Sequence, residues 1–167
     1  MAGHLSQEEI AKLADSLFPT LWGELRLSAE IAAHGERAQP MLVRHLDGTP
    51  AYWLVPLAAQ DRLAGFIRLG LAGGLLAYGR YGQAQRLDQL PPLSYLSQQG
   101  AERSIRNEYG HLYPEIDTPQ LVQDGPTSRT AWMAHGTTAE DQTELLFWVF
   151  GTCYSRAADE KPQYGML

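Results

Sequence analysis

The residue types best suited to chemistry lie together in His111-Leu112-Tyr113-Pro114-Glu115-Ile116-Asp117. In an extended segment, alternate residues face the same way, so His111, Tyr113, Glu115 and Asp117 converge on one side. A histidine with two carboxylates there could bind a metal or transfer a proton. The competing reading is a polar connection that Leu112 and Ile116 pin to the core. Cys153 is a second candidate, a nucleophile if a thiolate-stabilising group lies near it and a small buried hydrophobe if none does. The five histidines, His4, His34, His45, His111 and His135, show no H-x-x-x-H spacing, and no G-x-S-x-G occurs. We therefore expect no resident metal or other cofactor and lean away from catalysis, keeping His111, Glu115, Asp117 and Cys153 as candidates.

The elements that must carry these residues follow from the periodicity. Ser6-Gln7-Glu8-Glu9 is a capping box, and Ile10, Leu13, Ala14, Leu17 and Phe18 form one apolar helical face that Pro19 should close. Thr20 to His34 is expected to form a further helix ending at His34-Gly35. The period then becomes two: Met41 to Leu46, Tyr52 to Leu57, Ala64 to Leu71 and Leu75 to Tyr81 read as antiparallel strands. Asp47-Gly48-Thr49-Pro50, Ala59-Gln60-Asp61 and Ala72-Gly73-Gly74 are their turns. Ser94 to Tyr109 reads as the second main helix, with Gly110 at its end. Strands return at Gln120 to Gln123, Arg129 to Ala134 and Glu144 to Ser155, with turns at Asp124-Gly125-Pro126-Thr127 and Thr137 to Asp141. The tail from Ala157 to Leu167 reads as loosely held.

At an offset of 79 residues, Pro40-Met41-Leu42-Val43 overlies Pro119-Gln120-Leu121-Val122 and Trp53 overlies Trp132. The same offset places Phe66-Ile67-Arg68-Leu69 over Leu145-Leu146-Phe147-Trp148. The fold class expected is α+β, with two similar helix-plus-antiparallel-sheet units, an internal duplication, divided as residues 1–90 and 91–167. The segment AYWLVPL with LAGFIRLGLAGGLLAYG resembles the Trp strand, Gly turn and following strand of PepSY-like domains, cystatin-like αβββ units that often occur in tandem. That resemblance implies an inhibitory, propeptide-like or ligand-sensing role.

Composition narrows the function. A net charge of −6 with no run of basic residues disfavours a nucleic-acid or anionic-membrane partner. A single cysteine excludes an intramolecular disulfide. The first residues lack a secretory h-region, so the cytoplasm is the expected compartment. Leu63 to Gly79 is apolar but carries Arg68 and several glycines, too broken for a membrane helix. Those glycines match neither a P-loop nor a dinucleotide fingerprint, leaving hairpin punctuation.

In Glu144-Leu145-Leu146-Phe147-Trp148-Val149-Phe150 both alternating sets are apolar, so this strand should be covered on both faces. One face can lie under the chain's own helix, and the other must meet the sheet of the second half, a second copy of the chain or a protein or peptide partner, so internal sandwiching stands beside a binding or dimer surface. Trp148, Phe150, Tyr78, Tyr81, Arg80, Tyr109 and Tyr113 are the expected binding residues, Tyr, Trp and Arg being common interface anchors. The leading expectation is a non-catalytic cytoplasmic binding or adaptor protein acting through an aromatic-rich sheet face. The alternatives are a metal-dependent or acid/base factor using His111, Glu115 and Asp117, and a small-molecule sensor.

Overall fold

A computed structural model describes residues 3–126 and 128–158. The expected tail lies almost wholly outside the described residues, as does Thr127 of one expected turn. The fold is α+β, and it divides into two compact units: the chain up to Leu42 with Pro50–Ser94, and Val43–Thr49 with the chain from Tyr95 on.

In the first unit, α1 (Gln7–Glu24) starts at the expected capping box, in which Ser6 Oγ accepts from Glu9 N and the Glu9 carboxylate accepts from Ser6 N. Pro19 does not end the helix but sits inside it. A proline there frees the carbonyl four residues back, on Asp15, and this residue is exposed, where water can replace the lost bond. Nor does one helix reach His34. The chain breaks at Arg26, which takes φ 52°, and Ser28 then caps a single-turn α2 (Ala29–Ala32). Two strands, β1 (Gly35–Arg37) and β2 (Met41–Arg44), precede the long β3 (Pro50–Ala59), β4 (Arg62–Leu69) and β5 (Leu75–Arg80). β1 and β4 pair antiparallel with β3, and β5 pairs antiparallel with β4. Ala72-Gly73-Gly74 forms the expected tight turn, with Gly73 at φ 98°, a backbone conformation that side-chain-bearing residues rarely adopt. Ile10, Ala14 and Leu21 of α1 pack on Trp53, Val55, Leu57, Ile67 and Leu69. Each large apolar side chain buried this way contributes about 1.5–3 kcal/mol.

In the second unit, α3 (Gln98–Tyr109) is capped by Ser97 and packs on the strands through Ala101 and Ile105. It is followed by β6 (Glu115–Ile116), β7 (Gln120–Gln123), β8 (Thr130–Thr137), β9 (Thr143–Val149) and β10 (Thr152–Ala157). β6, β7 and β9 pair antiparallel with β8, and β10 pairs antiparallel with β9. Arg44, on the part of β2 that belongs to this unit, pairs parallel with Val122. The strand expected from Glu144 to Ser155 is in fact a hairpin. Phe150 and Gly151 both take positive φ, 45° and 86°, which reverses the chain between β9 and β10. As expected, β9 is buried on both faces from Leu145 to Trp148.

The 79-residue offset recurs in the geometry. Trp53 pairs with Leu69 and Trp132 with Trp148, the same register in both units. Gln7, the first residue of α1, donates from Nε2 to the Pro40 carbonyl at 2.8 Å; Gln98, the first residue of α3, donates to the Pro119 carbonyl at 2.9 Å. Both indole nitrogens, Trp53 Nε1 and Trp132 Nε1, are buried with no hydrogen-bond acceptor among the described residues. In each unit a capping serine, a helix-start glutamine and a pre-strand proline act as one clamp.

Candidate functional site

The segment from His111 to Asp117 does not converge as one row. β6 and β7 occupy the same edge of β8 in succession, so the chain between them must leave the ladder and return. Asp117 fills the interruption. Its N–H donates to the His135 carbonyl at 3.0 Å, its Oδ1 accepts the His135 N–H at 2.6 Å, and its Oδ2 lies 2.8 Å from His135 Nδ1. Placing the imidazole proton on Nδ1 satisfies this contact and leaves Nε2 as a lone-pair nitrogen. Glu115, Ile116, Thr137 and Thr143 join this pair around an open pocket of about 500 Å³. The histidine that Asp117 meets is thus His135, eighteen residues on, and His111 sits on the exposed turn after α3, outside that pocket.

The pair can orient an imidazole for proton transfer. Among the described residues, no three His, Cys, Asp or Glu side chains are grouped to hold a metal ion.

Tyr113 turns inward instead of joining that row. It is buried against Gly136, where a Cβ would approach its ring to 2.9 Å, and its hydroxyl donates to the Glu144 carboxylate. Burial and that carboxylate push the Tyr113 hydroxyl up to about 12. Tyr109, half-buried, meets the Tyr113 ring edge-on at 5.9 Å. Cys153 is half-buried, and burial, then the charge of Glu108, raises its thiol above the ordinary range. That environment favours the thiol over the nucleophilic thiolate.

The aromatic strand is core. Trp148 is 5% exposed, directly opposite Trp132, with the Tyr95 ring edge-on at 5.7 Å. Phe150 lies on the β9–β10 turn, also against Tyr95.

A different surface is open. β5 pairs with β4 and is a sheet edge. Among the described residues, five large apolar or aromatic side chains are prominently exposed, and three of them, Leu75, Leu76 and Tyr78, are on this one strand. Tyr81 N donates to the Ala64 carbonyl. By the antiparallel alternation, residues 77 and 79 also bond β4, so Tyr78 and Arg80 aim their N–H and C=O groups away from the sheet. Beside them runs an open groove lined by Thr20, Gly23, Glu24, Arg26 and Tyr78. The Tyr78 hydroxyl donates to Glu24, and the Arg80 guanidinium donates to the carbonyls of Arg26 (3.4 Å) and Ala84 (3.1 Å). Tyr81 faces the other way, its ring 5.4 Å from Phe66, and burial raises its hydroxyl pKa.

Two of the expected binding residues, Tyr78 and Arg80, therefore share one edge, while Trp148, Phe150, Tyr109 and Tyr113 belong to the other unit. Sequence reasoning missed Leu75, Leu76, Glu24 and Arg26. The adjacent leucines were the available signal, because a last strand that exposes one face should not place apolar residues in both alternating sets.

No helix among the described residues is long and apolar enough to cross a membrane. Comparisons with protein-family models, with curated proteins and with solved structures found no match.

Proposed function

We propose that this chain is a non-catalytic binding protein that takes an extended segment of a protein partner as an added strand along β5. The observation that carries the reading is the coincidence of an open sheet edge with three exposed apolar side chains and a flanking helix groove. Exposed flat edges invite pairing, and proteins that do not use them blunt them with charge, proline or cover. Strand addition draws affinity from main-chain hydrogen bonds and selectivity from side-chain pockets beside the edge. The resemblance to PepSY-like units, associated with inhibitory or ligand-sensing roles, agrees with a binding role.

The test is a random twelve-residue peptide library displayed on phage and selected on the full chain. Enriched peptides should shift the amide resonances of Tyr78 and Arg80. Tyr78→Pro should abolish binding with the circular dichroism spectrum retained, since an edge proline removes an outward N–H and no bond to β4. Peptides that shift other residues, or bind Tyr78→Pro as tightly, would refute the reading. A concentration-dependent dimer in light scattering, dispersed by Tyr78→Pro, would assign the edge to a second copy instead.

A second reading rests on the Asp117–His135 contact: proton transfer at the pocket with Glu115, Thr137 and Thr143. A panel of chromogenic esters and phosphate esters tests it. Turnover lost in His135→Gln with the fold intact would support it, and no turnover, or turnover unchanged in that variant, would refute it.

A further inference from the structure

Resting on the strand-addition reading, we infer that the segment bound along β5 carries an acidic side chain at its N-terminal end followed by alternating apolar residues, and that it runs antiparallel to β5. Antiparallel pairing is the more stable arrangement for a single added strand. It places the incoming N-terminal end opposite Arg80 and the later residues opposite Tyr78 and then Leu76, with directly opposed side chains on the same face.

The charges at that end of the strand are uncompensated. Among the described residues neither Arg26 nor Arg80 forms an ion pair, in a protein whose net charge is −6. The Arg80 guanidinium is spent on two carbonyls, so its charge meets no carboxylate. Arg26 is exposed, and its backbone holds φ 52°, a left-handed conformation that glycine or asparagine normally takes just past a helix end. An arginine there sets a cation at the mouth of the groove at a conformational cost.

The groove also fixes where the acid sits. Glu24 is engaged by the Tyr78 hydroxyl, so a second carboxylate opposite Tyr78 would meet like charge, and the position opposite Arg80 is the favourable one. Leu76 and Leu75 complete the edge with apolar contacts. A terminal carboxylate does not fit the same geometry, because an antiparallel segment ends at Leu75, away from both arginines.

The probe is the fluorescein-labelled peptide acetyl-Thr-Glu-Thr-Val-Thr-Leu-Thr-amide, compared by anisotropy on the full chain with versions carrying Gln or Lys in place of Glu. The Glu peptide should bind about tenfold more tightly than the Gln peptide, and salt should narrow the gap. On Arg26→Glu the order should invert, with the Lys peptide bound more tightly than the Glu peptide. Equal affinities for Glu and Gln peptides that both shift the Tyr78 and Arg80 amides would overturn the acidic preference and leave strand addition standing. Failure of all three peptides to shift those amides, while library-selected peptides do so, would overturn this sequence pattern alone. Failure of both sets would remove strand addition itself.

Discussion

The two units end their sheets on strands of opposite character. β5 closes the first with Leu75, Leu76 and Tyr78 exposed and main-chain groups aimed outward. β10 closes the second with polar and charged residues tied inward: the Tyr154 hydroxyl and the Arg156 guanidinium both bond Asp124, with Arg156 Nη2 at 2.6 Å from its Oδ1. Arg156 also lies over the Phe147 ring, on which Tyr154 stacks at 4.7 Å. Elements in the same order thus yield one edge whose Tyr154 and Arg156 side chains meet a buried carboxylate of the same unit and one that leaves Leu75, Leu76 and Tyr78 exposed. The difference is the reason for proposing strand addition at β5 rather than contact through any aromatic residue of β9.

The largest test of this contrast concerns the satisfied edge. Asp124 is 2% exposed; burial alone would raise its carboxyl, but Arg156, Tyr154 and Arg129 together hold it below the usual carboxylate range. Asp124→Ala leaves the mostly buried Arg156 without its counter-charge and should destabilise by about 3–5 kcal/mol in urea unfolding. Because the folded carboxyl has the lower pKa, its contribution is full at neutral pH and declines as pH falls below the unfolded value. Parent and variant should therefore converge in stability on acidification, and a gap that persists at acid pH would break the assignment.

The paired clamps come next. Gln7→Ala and Gln98→Ala should each cost about 1 kcal/mol, the usual value of one hydrogen bond, and by similar amounts if the units are built alike. Markedly unequal losses in thermal or urea unfolding would show that the resemblance between the units is only geometric. Arg26→Gly should run the other way, stabilising by about 1 kcal/mol through relief of the left-handed arginine while weakening the Glu peptide. Smallest of all, Leu76→Lys should change stability by under about 0.5 kcal/mol, as an exposed edge residue, yet lower peptide affinity. A large loss of stability there would place Leu76 in the core.

Much of the fold could be read from the chain. The capping box, the turns at Gly48 and Gly73, the 79-residue register and the double burial of β9 rest on local patterns that the structure repeats. The misses share a physical cause. Pro19 is tolerated because the carbonyl it frees is on an exposed face, and Phe150 adopts positive φ without being glycine. Neither can be seen from residue type alone. Long-range polar pairings were equally invisible: Asp117 with His135, and Asp124 with Arg156, join residues that no local spacing connects. Their partners are set by strand register, and register follows from the whole ladder. The open edge at β5 depends on strand order as well, and an antiparallel reading from sequence gives the neighbours of a strand more readily than it shows which strand comes last.

Val43–Thr49 belongs to the second unit although sequence of the first flanks it on both sides. During synthesis this short piece emerges early, and its strand partner at Val122 is made only much later. The second unit cannot complete its ladder from the C-terminal half of the chain alone, so a fragment cut between the helices would lack one rung. Translation order and unit order are interleaved here, and the loop-closure entropy of that single parallel rung falls on folding of the entire chain rather than on either half.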